Sequence, residues 1–228
     1  MATAVIIAGS TGTGKTTSIR GLDPNKTIVI QVNKEKGYLP WPKSKNDFNY
    51  EKKNLFAIKD YSTVISYLKN ISDKRDDIEN IVIDDAIYIM RGEFFDRSKE
   101  KGFDKFTELA DHFRSIITTI GNLRNDMNVF LMMHVEPVMS DGTLITYKLS
   151  SVGKLLEEKS NPMECVSIAL FSTVIYDEGN KPSYWFYTNR TIDKQGAEIP
   201  AKSPAMMFED MLIPNDLGKV VEAIKEYY

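Results

Sequence analysis

Cysteine is almost absent from this sequence, since Cys165 is the only one among 228 residues. No disulfide can form within the chain, and we therefore expect an intracellular, cytoplasmic setting. Long apolar runs are absent as well: none approaches the roughly 18 consecutive residues of a membrane-spanning helix, so no membrane partner is expected. The first residues lack the charged region and cleavage site of a signal peptide, and none is predicted.

An excess of positive charge is the third feature that the sequence lacks. Its 29 basic and 32 acidic residues give a formal net charge of −3, which excludes a uniformly basic coat for nucleic acid but leaves room for a local basic stripe. Hydrophobic residues make up 42% and charged residues 27%, as in an ordinary globular protein. We expect one domain over residues 1–228, because this length suffices for a full core.

What the sequence does contain is a glycine-rich motif directly after the apolar run Ala4–Ala8. The motif reads Gly9, Ser10, Thr11, Gly12, Thr13, Gly14, Lys15, Thr16, Thr17 and has the G-x-x-x-x-G-K-T form of a P-loop. In such a loop the backbone N–H groups point at phosphate oxygens, and the following helix, predicted from Lys15 to about Leu22, adds its positive end. Lys15 should reach the β- and γ-phosphates, and the Thr16 hydroxyl should bind Mg²⁺. The sequence therefore predicts a site for ATP or another nucleoside triphosphate.

Strands and helices alternate over residues 1–134. After the P-loop strand, strands are predicted at Thr27–Val32, Asn80–Asp85 and Asn128–Met133, with helices at Tyr61–Ile71 and around Leu109–Leu123. This alternation predicts an α/β fold with a mostly parallel sheet flanked by helices, as in P-loop NTPases. We expect these residues to form the nucleotide-binding core.

The pattern changes after residue 134. Asp141-Gly142 predicts a hairpin turn between Pro137–Met139 and Leu144–Tyr147, and further strands are predicted at Val166–Ser172 and Tyr184–Thr188. A last helix is predicted to start at a cap formed by Asn215 or Asp216. We expect residues 135–228 to form a hairpin-rich extension of one sheet edge, followed by this helix.

Polar side chains follow three of the predicted strands, at the sheet end where ligands bind in open α/β folds. Asp84 ends the apolar run Ile81–Ile83 and is the candidate to hold Mg²⁺ opposite the P-loop. Asp85 is either a second carboxylate for the attacking water or a cap of the following helix. Glu35 is either the group that deprotonates this water or a solvated loop residue. His134 is either a sensor of the γ-phosphate or a buried, satisfied histidine.

The order of these motifs resembles that of the RecA-like P-loop ATPases: strand, P-loop, strand, Asn33-Lys34-Glu35-Lys36-Gly37, strand ending in Asp84-Asp85, strand ending in His134. Within that group it is most similar to compact phage ATPases of the single-strand-annealing type. The resemblance implies a Mg²⁺-dependent ATP hydrolase with Glu35 as the catalytic base and His134 coupling nucleotide to DNA. It also implies a homo-oligomer, in which Arg190 or Lys202 reaches the phosphates of a neighbouring subunit. Single-stranded DNA as partner, phage-type recombination or replication, and the cytoplasm of an infected bacterium are further implications.

Two departures from the RecA-like pattern stand out. Gln31-Val32-Asn33 replaces the acidic residue that usually precedes the glutamate. No N-terminal polymerisation segment precedes the P-loop, which argues against a filament.

The candidate DNA contacts are the cations of one charged segment: Arg97, Lys99, Lys101 and Lys105. Basic residues interleaved with aromatics are typical of loops that bind a phosphate backbone, although acidic residues interrupt this segment and a merely solvated loop is the alternative. Tyr184–Tyr187 either stacks on bases or packs in the core. Two other functions stay open: a P-loop kinase of small molecules, for which the chain offers few lid arginines, and a nucleotide-dependent assembly module with negligible turnover.

Overall fold

A computed structural model describes residues 1–32, 37–102, 104–152 and 161–228. The first half of the chain alternates between strands and helices. Its elements are β1 (Thr3–Gly9), a 3-10 helix (Thr16–Gly21), β2 (Thr27–Gln31), α1 (Ser44–Asp47), β3 (Leu55–Ala57), α2 (Tyr61–Lys74), β4 (Asn80–Asp84), α3 (Ile87–Asp96) and α4 (Asp104–Gly121).

Strands dominate the second half of the chain. Its elements are β5 (Asn128–Ser140), β6 (Thr143–Leu149), a 3-10 helix (Pro162–Cys165), β7 (Ile168–Tyr176), β8 (Pro182–Tyr187), β9 (Thr191–Ile192), β10 (Glu198–Ile199), β11 (Leu212–Pro214) and a C-terminal helix, α5 (Leu217–Tyr227). Among the described elements, no helix is long and apolar enough to cross a bilayer.

The main sheet has the strand order β11-β8-β7-β1-β5-β4-β2-β3. All pairs from β7 to β3 are parallel, whereas β8 and β11 add antiparallel strands beyond β7. The predicted mostly parallel α/β sheet is confirmed. One strand, β5, separates the P-loop strand β1 from β4, which ends in Asp84.

The predicted hairpin forms, but it does not add to a sheet edge. Strand β5 pairs with β1 and β4 in its first half and with β6 in its second half, so the hairpin leaves from the interior of the sheet. Asp141 and Gly142 form its turn with φ angles of 49° and 79°, the positive values that a two-residue turn favours. Strands β7, β8 and β11 instead extend the sheet beyond β1, so the predicted extension of one edge by residues 135–228 is confirmed for these strands.

Two apolar clusters cover the two faces of the sheet. One contains buried residues of α2 and α4, such as Leu68 and Phe113, and the other contains Ile19 of the P-loop helix and Leu217 of α5. Strands β2 and β4 are buried along their whole length, which is typical of a parallel sheet covered on both faces. The fold is therefore a helix-sheet-helix sandwich.

Some elements differ from those that the sequence predicts. The helix after the P-loop is a short 3-10 helix, Thr16–Gly21, in place of the helix expected from Lys15 to Leu22. Strand β3 is missed because three residues give no periodicity, and helix α3 is missed because its apolar residues follow no single stripe. Of the two proposed caps of the last helix, Asp216 fills that role by accepting a hydrogen bond from the Gly218 N–H at 2.8 Å.

Candidate nucleotide site

The predicted site residues collect at the carboxyl ends of the parallel strands. Gly9 pairs in register with His134, and Gln31 pairs with Asp84. Alternate residues of these strands, among them Val29 and Val82, belong to the apolar cluster under the P-loop helix. Because side chains alternate between faces along a strand, the side chains of Gln31, Asp84 and His134 emerge on the face that the P-loop helix covers.

The P-loop backbone has the curl that phosphate binding requires. Gly12 and Gly14 have φ angles of 82° and 88°, a conformation in which any other residue is strained. At Gly14 an added Cβ would also meet the ring of Tyr184 at 2.9 Å. The two glycines are therefore needed for the shape of the loop.

Lys15 folds back over this loop. Its Nζ donates hydrogen bonds to the carbonyl oxygens of Gly9 at 2.7 Å and Ser10 at 2.8 Å, and the residue is only 6% exposed. Burial lowers the pKa of the Lys15 ammonium to about 8, against the opposing attraction of the Asp85 and Asp84 carboxylates. The cation is held above the loop, close to two acidic groups, where a triphosphate would replace the carbonyls as its partner.

A side-chain hydrogen bond joins Thr16 of the P-loop to Asp84 at the end of β4. The Thr16 hydroxyl donates a hydrogen bond to Oδ1 of Asp84 at 2.8 Å, and Asp84 is fully buried at the end of β4. A hydroxyl and a carboxylate are hard oxygen ligands of the kind that Mg²⁺ prefers alongside phosphate oxygens and water. The two residues fit a bound Mg²⁺ ion, which the sequence predicts at this place.

Asp85 and His134 form a second polar pair beside the first. Nε2 of His134 lies 3.1 Å from Oδ1 of Asp85, and the imidazole packs perpendicular to the Tyr88 ring with their centres 6.4 Å apart. Asp85 adopts a left-handed conformation with φ 61°, and the N-cap position of α3 falls to Ala86. The pairing with His134 therefore favours the role of Asp85 as a site carboxylate over a role as helix cap.

Sequence reasoning missed the residues that brace the P-loop from outside. The Ser172 hydroxyl donates to the Thr13 carbonyl at 2.6 Å, and the Asn215 amide donates to that hydroxyl at 2.9 Å. Ser172 ends the strand predicted at Val166–Ser172, and this position at the strand end is a sequence signal for its place near the site. Asn215 was considered only as a helix cap, and no sequence pattern indicates its contact with the loop.

A cleft of about 590 Å³ opens over these groups. Its walls include Arg20, Pro40, Tyr88 and Tyr184 together with P-loop residues, Asp85 and His134. A larger hollow of about 870 Å³ lies at the opposite end of the sheet, near Thr3 and Asn128 at the starts of β1 and β5, and contains none of the site residues. The cleft at the P-loop is the one with the chemistry for a nucleotide.

Three other predicted site residues lie elsewhere or outside the described residues. Arg190 forms an ion pair with Glu198 and is largely exposed, and the backbone of Lys202 bridges to Ala169 on β7. Neither lines the cleft, so a role at phosphates requires a neighbouring subunit. Glu35, the predicted catalytic base, lies outside the described residues.

The predicted DNA segment is only partly available for binding. The Arg97 guanidinium contacts the carboxylates of Glu93 at 3.1 Å, Glu100 at 2.8 Å and Glu108 at 2.6 Å. A DNA phosphate would compete with these three carboxylates for the hydrogen-bond donors of Arg97.

Lys105 is engaged as well. It donates to the Glu100 carbonyl and lies 5.3 Å and 5.4 Å from the ring centres of Phe94 and Phe106. Lys99 and Lys101 remain exposed, and within the described ranges neither forms an ion pair. The basic surface of this segment thus reduces to two lysines.

Comparison with known families agrees with this geometry. The profile of a family described as AAA domain matches residues 1–156, more than half of the chain. The chain therefore belongs to this AAA domain family, a class of P-loop, nucleotide-binding ATPases that use ATP, usually with Mg²⁺. No curated protein shows significant similarity to the chain.

Proposed function

We propose that this protein is a magnesium-dependent ATPase whose hydrolysis of ATP is coupled to single-stranded DNA, in recombination or replication of the phage type. The observation that carries the ATPase part is the hydrogen bond between Thr16 and Asp84. It joins the P-loop to the end of a separate strand, at a point where two oxygen ligands can share one hydrated cation.

Each group of the site has a task in the proposed reaction. Backbone N–H groups of the P-loop bind the phosphate oxygens, and Lys15 exchanges its carbonyl partners for the outer phosphates. Thr16 and Asp84 would hold Mg²⁺, which neutralises charge on the β- and γ-phosphates when bound. These contacts supply the positioning and electrostatic stabilisation on which phosphoryl transfer depends.

The attacking water needs a carboxylate to orient it and to accept its proton. Glu35 is our choice for this base, on the strength of the resemblance to RecA-like ATPases, and Asp85 is the alternative. His134 already engages Asp85, so we assign this pair to sensing whether a γ-phosphate is present. Strand β5 continues from His134 into the β5–β6 hairpin, which gives the pair a direct mechanical connection to a distant surface.

The DNA part of the proposal rests on helix α3. This helix starts two residues after Asp85 and ends at Asp96, about 15 Å away at the usual rise per residue. Lys99 and Lys101 follow it directly and are exposed, so a movement at the nucleotide would be transmitted to these two cations. A homo-oligomer, with Arg190 or Lys202 acting on a neighbouring subunit, completes the proposal.

The rate of ATP hydrolysis with and without a single-stranded oligonucleotide tests this function. We expect magnesium-dependent turnover that the oligonucleotide stimulates, while a duplex of the same sequence has less effect. The Asp84→Asn variant serves as the control for contaminating ATPases. Turnover that ignores DNA would leave an ATPase without the proposed partner, and turnover that survives in Asp84→Asn would refute the assignment of the site.

A further inference from the structure

Gln31 is a fully buried polar residue at the edge of the nucleotide site. It is the last residue of β2 and has no exposed surface. Within the described ranges, neither its Oε1 nor its Nε2 atom has a hydrogen-bond partner. An amide left unpaired in this way destabilises the folded chain, and an apolar residue would fill the position at lower cost.

The register of the sheet places Gln31 beside Asp84. Gln31 and Asp84 are partners in the parallel register of β2 and β4, and their side chains therefore emerge side by side on the same face. Asp84 in turn accepts the hydrogen bond of Thr16. The side chain with the unpaired amide is therefore a direct neighbour of Asp84, which together with Thr16 fits Mg²⁺.

Gly37 lies directly against the Gln31 amide. A Cβ atom added to Gly37 would lie 2.2 Å from Oε1 and 2.7 Å from Nε2 of Gln31. A side chain at position 37 would clash with the amide, so glycine is needed there, and Gly37 offers the amide no hydrogen bond. The second polar residue with an unpaired buried oxygen, Thr27, lies at the far end of β2, away from the site.

We propose that the Gln31 amide is a binding group for the hydrated magnesium ion of the nucleotide complex. Mg²⁺ releases its water reluctantly and keeps several waters when it binds through one or two protein oxygens and phosphates. Each of these waters has protons that need acceptors, and Oε1 of Gln31 accepts one beside the Asp84 carboxylate. The inference rests on the proposed ATP site and adds a residue that sets its affinity for the metal.

The variant Gln31→Met removes both polar atoms and retains the length of the side chain. In the nucleotide-free protein we expect the urea midpoint to stay the same or to rise, because no hydrogen bond is lost. An amide with a purely structural role would instead lower the midpoint, and that result would overturn the proposal. Gln195→Met, the same change at an exposed turn residue, is the matched control.

The decisive readout is the magnesium dependence of nucleotide binding. A non-hydrolysable ATP analogue is titrated calorimetrically into each protein in EDTA and at a series of Mg²⁺ concentrations. For Gln31→Met we expect an unchanged Kd for the analogue in EDTA, because the P-loop binds the phosphates. Added Mg²⁺ should increase the affinity for the analogue in both proteins. The Mg²⁺ concentration that gives half of this increase should be about tenfold higher in the variant. Hydrogen bonds of this kind are typically worth such a factor.

The outcomes separate this inference from the proposed function. An unchanged magnesium dependence, or an equal loss of affinity in EDTA, would overturn the role of Gln31 while leaving the ATP site intact. A wild-type protein that binds no nucleotide at all would instead refute the proposed function. Gln31→Leu is a second variant with the same expectations, and failure of both variants to fold would show that the amide is structural.

Discussion

Ser172 and Thr13 are joined by a hydrogen bond of 2.6 Å between a side-chain hydroxyl and a backbone carbonyl, although 159 positions separate them in the sequence. Asn215 donates to the same hydroxyl, so β7 and the approach to α5 both hold the P-loop. The match to the AAA domain family ends at residue 156, before Ser172 and Asn215. The phosphate-binding loop of this protein is therefore shaped in part by residues beyond the matched region.

Removal of the Ser172 hydroxyl should loosen the P-loop. Ser172→Ala removes one hydrogen bond from the Thr13 carbonyl and one from the Asn215 amide, and leaves only the long contact of 3.4 Å between these two groups. The loss of a hydrogen bond typically costs about 0.5–1.5 kcal/mol. We expect a lower urea midpoint and a weaker affinity for ATP, with a larger loss of stability in saturating nucleotide because weaker binding stabilises the folded variant less. Equilibrium unfolding with and without ATP measures both effects.

Ser183→Ala is the matched control for this brace. Its hydroxyl also donates to a backbone carbonyl, that of Ile175, but the residue lies exposed on β8. We expect little change in stability and none in ATP affinity. If the two variants behave alike, the contact with Thr13 has no special importance for the loop.

The identity of the catalytic base can be decided with two conservative substitutions. Glu35→Gln retains size and hydrogen bonding but cannot accept a proton, and loss of a general base typically lowers the rate by about 10²–10⁴-fold. We expect single-turnover hydrolysis to collapse in Glu35→Gln while ATP binding persists. Asp85→Asn should retain more of the rate, because Asp85 is engaged by His134.

The reverse pattern would be equally informative. Collapse in Asp85→Asn with near-normal turnover in Glu35→Gln would make Asp85 the base and the resemblance-based role of Glu35 wrong. The affinities of His134→Gln for ATP and ADP test the sensor role separately. If His134 senses the γ-phosphate, the variant should lose affinity for ATP and retain most of its affinity for ADP.

The pKa of Lys15 predicts an unusual dependence of stability on pH. In the folded protein without nucleotide this pKa is about 8, lowered by burial from the ordinary 10.5. At a pH between these two pKa values, Lys15 is protonated more fully in the unfolded chain than in the folded one. The free energy of unfolding should therefore rise with pH in this range. From pH 7.5 to 9.5 the gain attributable to Lys15 is about 2 kcal/mol.

Lys15→Met isolates this contribution because it retains the aliphatic stem without the titrating group. Unfolding in urea at several pH values, compared between the two proteins, should show the rise only where Lys15 is present. Parallel pH profiles would mean that burial does not depress this pKa. With ATP bound the difference should shrink, since phosphates stabilise the charged form.

DNA binding should depend on Lys99 and Lys101 if the proposed coupling is correct. Each phosphate contact on a single strand contributes roughly −0.7 to the slope of log K against log salt, so reversal of both lysines to Glu should remove roughly 1.4 from the slope's magnitude. Basal ATP turnover should be unaffected, because neither residue lines the cleft. Fluorescence anisotropy with a labelled oligonucleotide, at several salt concentrations with ATP, measures the slope.

The control reverses two lysines on α2, Lys69 and Lys74, which carry the same charge and are also exposed. It should leave the salt slope close to that of the wild type. Equal losses in both variants would indicate a response to net charge alone. Binding that survives reversal of Lys99 and Lys101 would place the DNA surface elsewhere, with the β5–β6 hairpin after His134 as the next region to test.

Much of the sheet could be predicted because its strands follow a simple rule. Parallel strands buried on both faces appear as continuous apolar runs, and Ile81–Ile83 is such a run, ended by the carboxylate of Asp84. The P-loop motif and this strand end together indicate a Mg²⁺ site. The parallel order of the strands brings Thr16 of the P-loop and Asp84 to the same end of the sheet, where they form a hydrogen bond of 2.8 Å.

The remaining features depend on contacts that no local pattern encodes. The carboxylates that engage Arg97 lie up to 11 residues away, on two helices and on the segment between them, so the sequence shows a basic segment where the fold contains an ion-pair network. The unpaired amide of Gln31 becomes visible only when burial and register are known. Local sequence reports propensity, whereas these features arise from tertiary packing.

The central claim, that the P-loop binds the triphosphate of ATP, is tested most directly by calorimetric titration of a non-hydrolysable ATP analogue with Mg²⁺ into the wild type and Lys15→Ala. We expect saturable binding to the wild type and no detectable binding to the variant, with circular dichroism showing an unchanged fold because glycines set the loop's shape. Equal affinity of the two proteins for the analogue would contradict the claim.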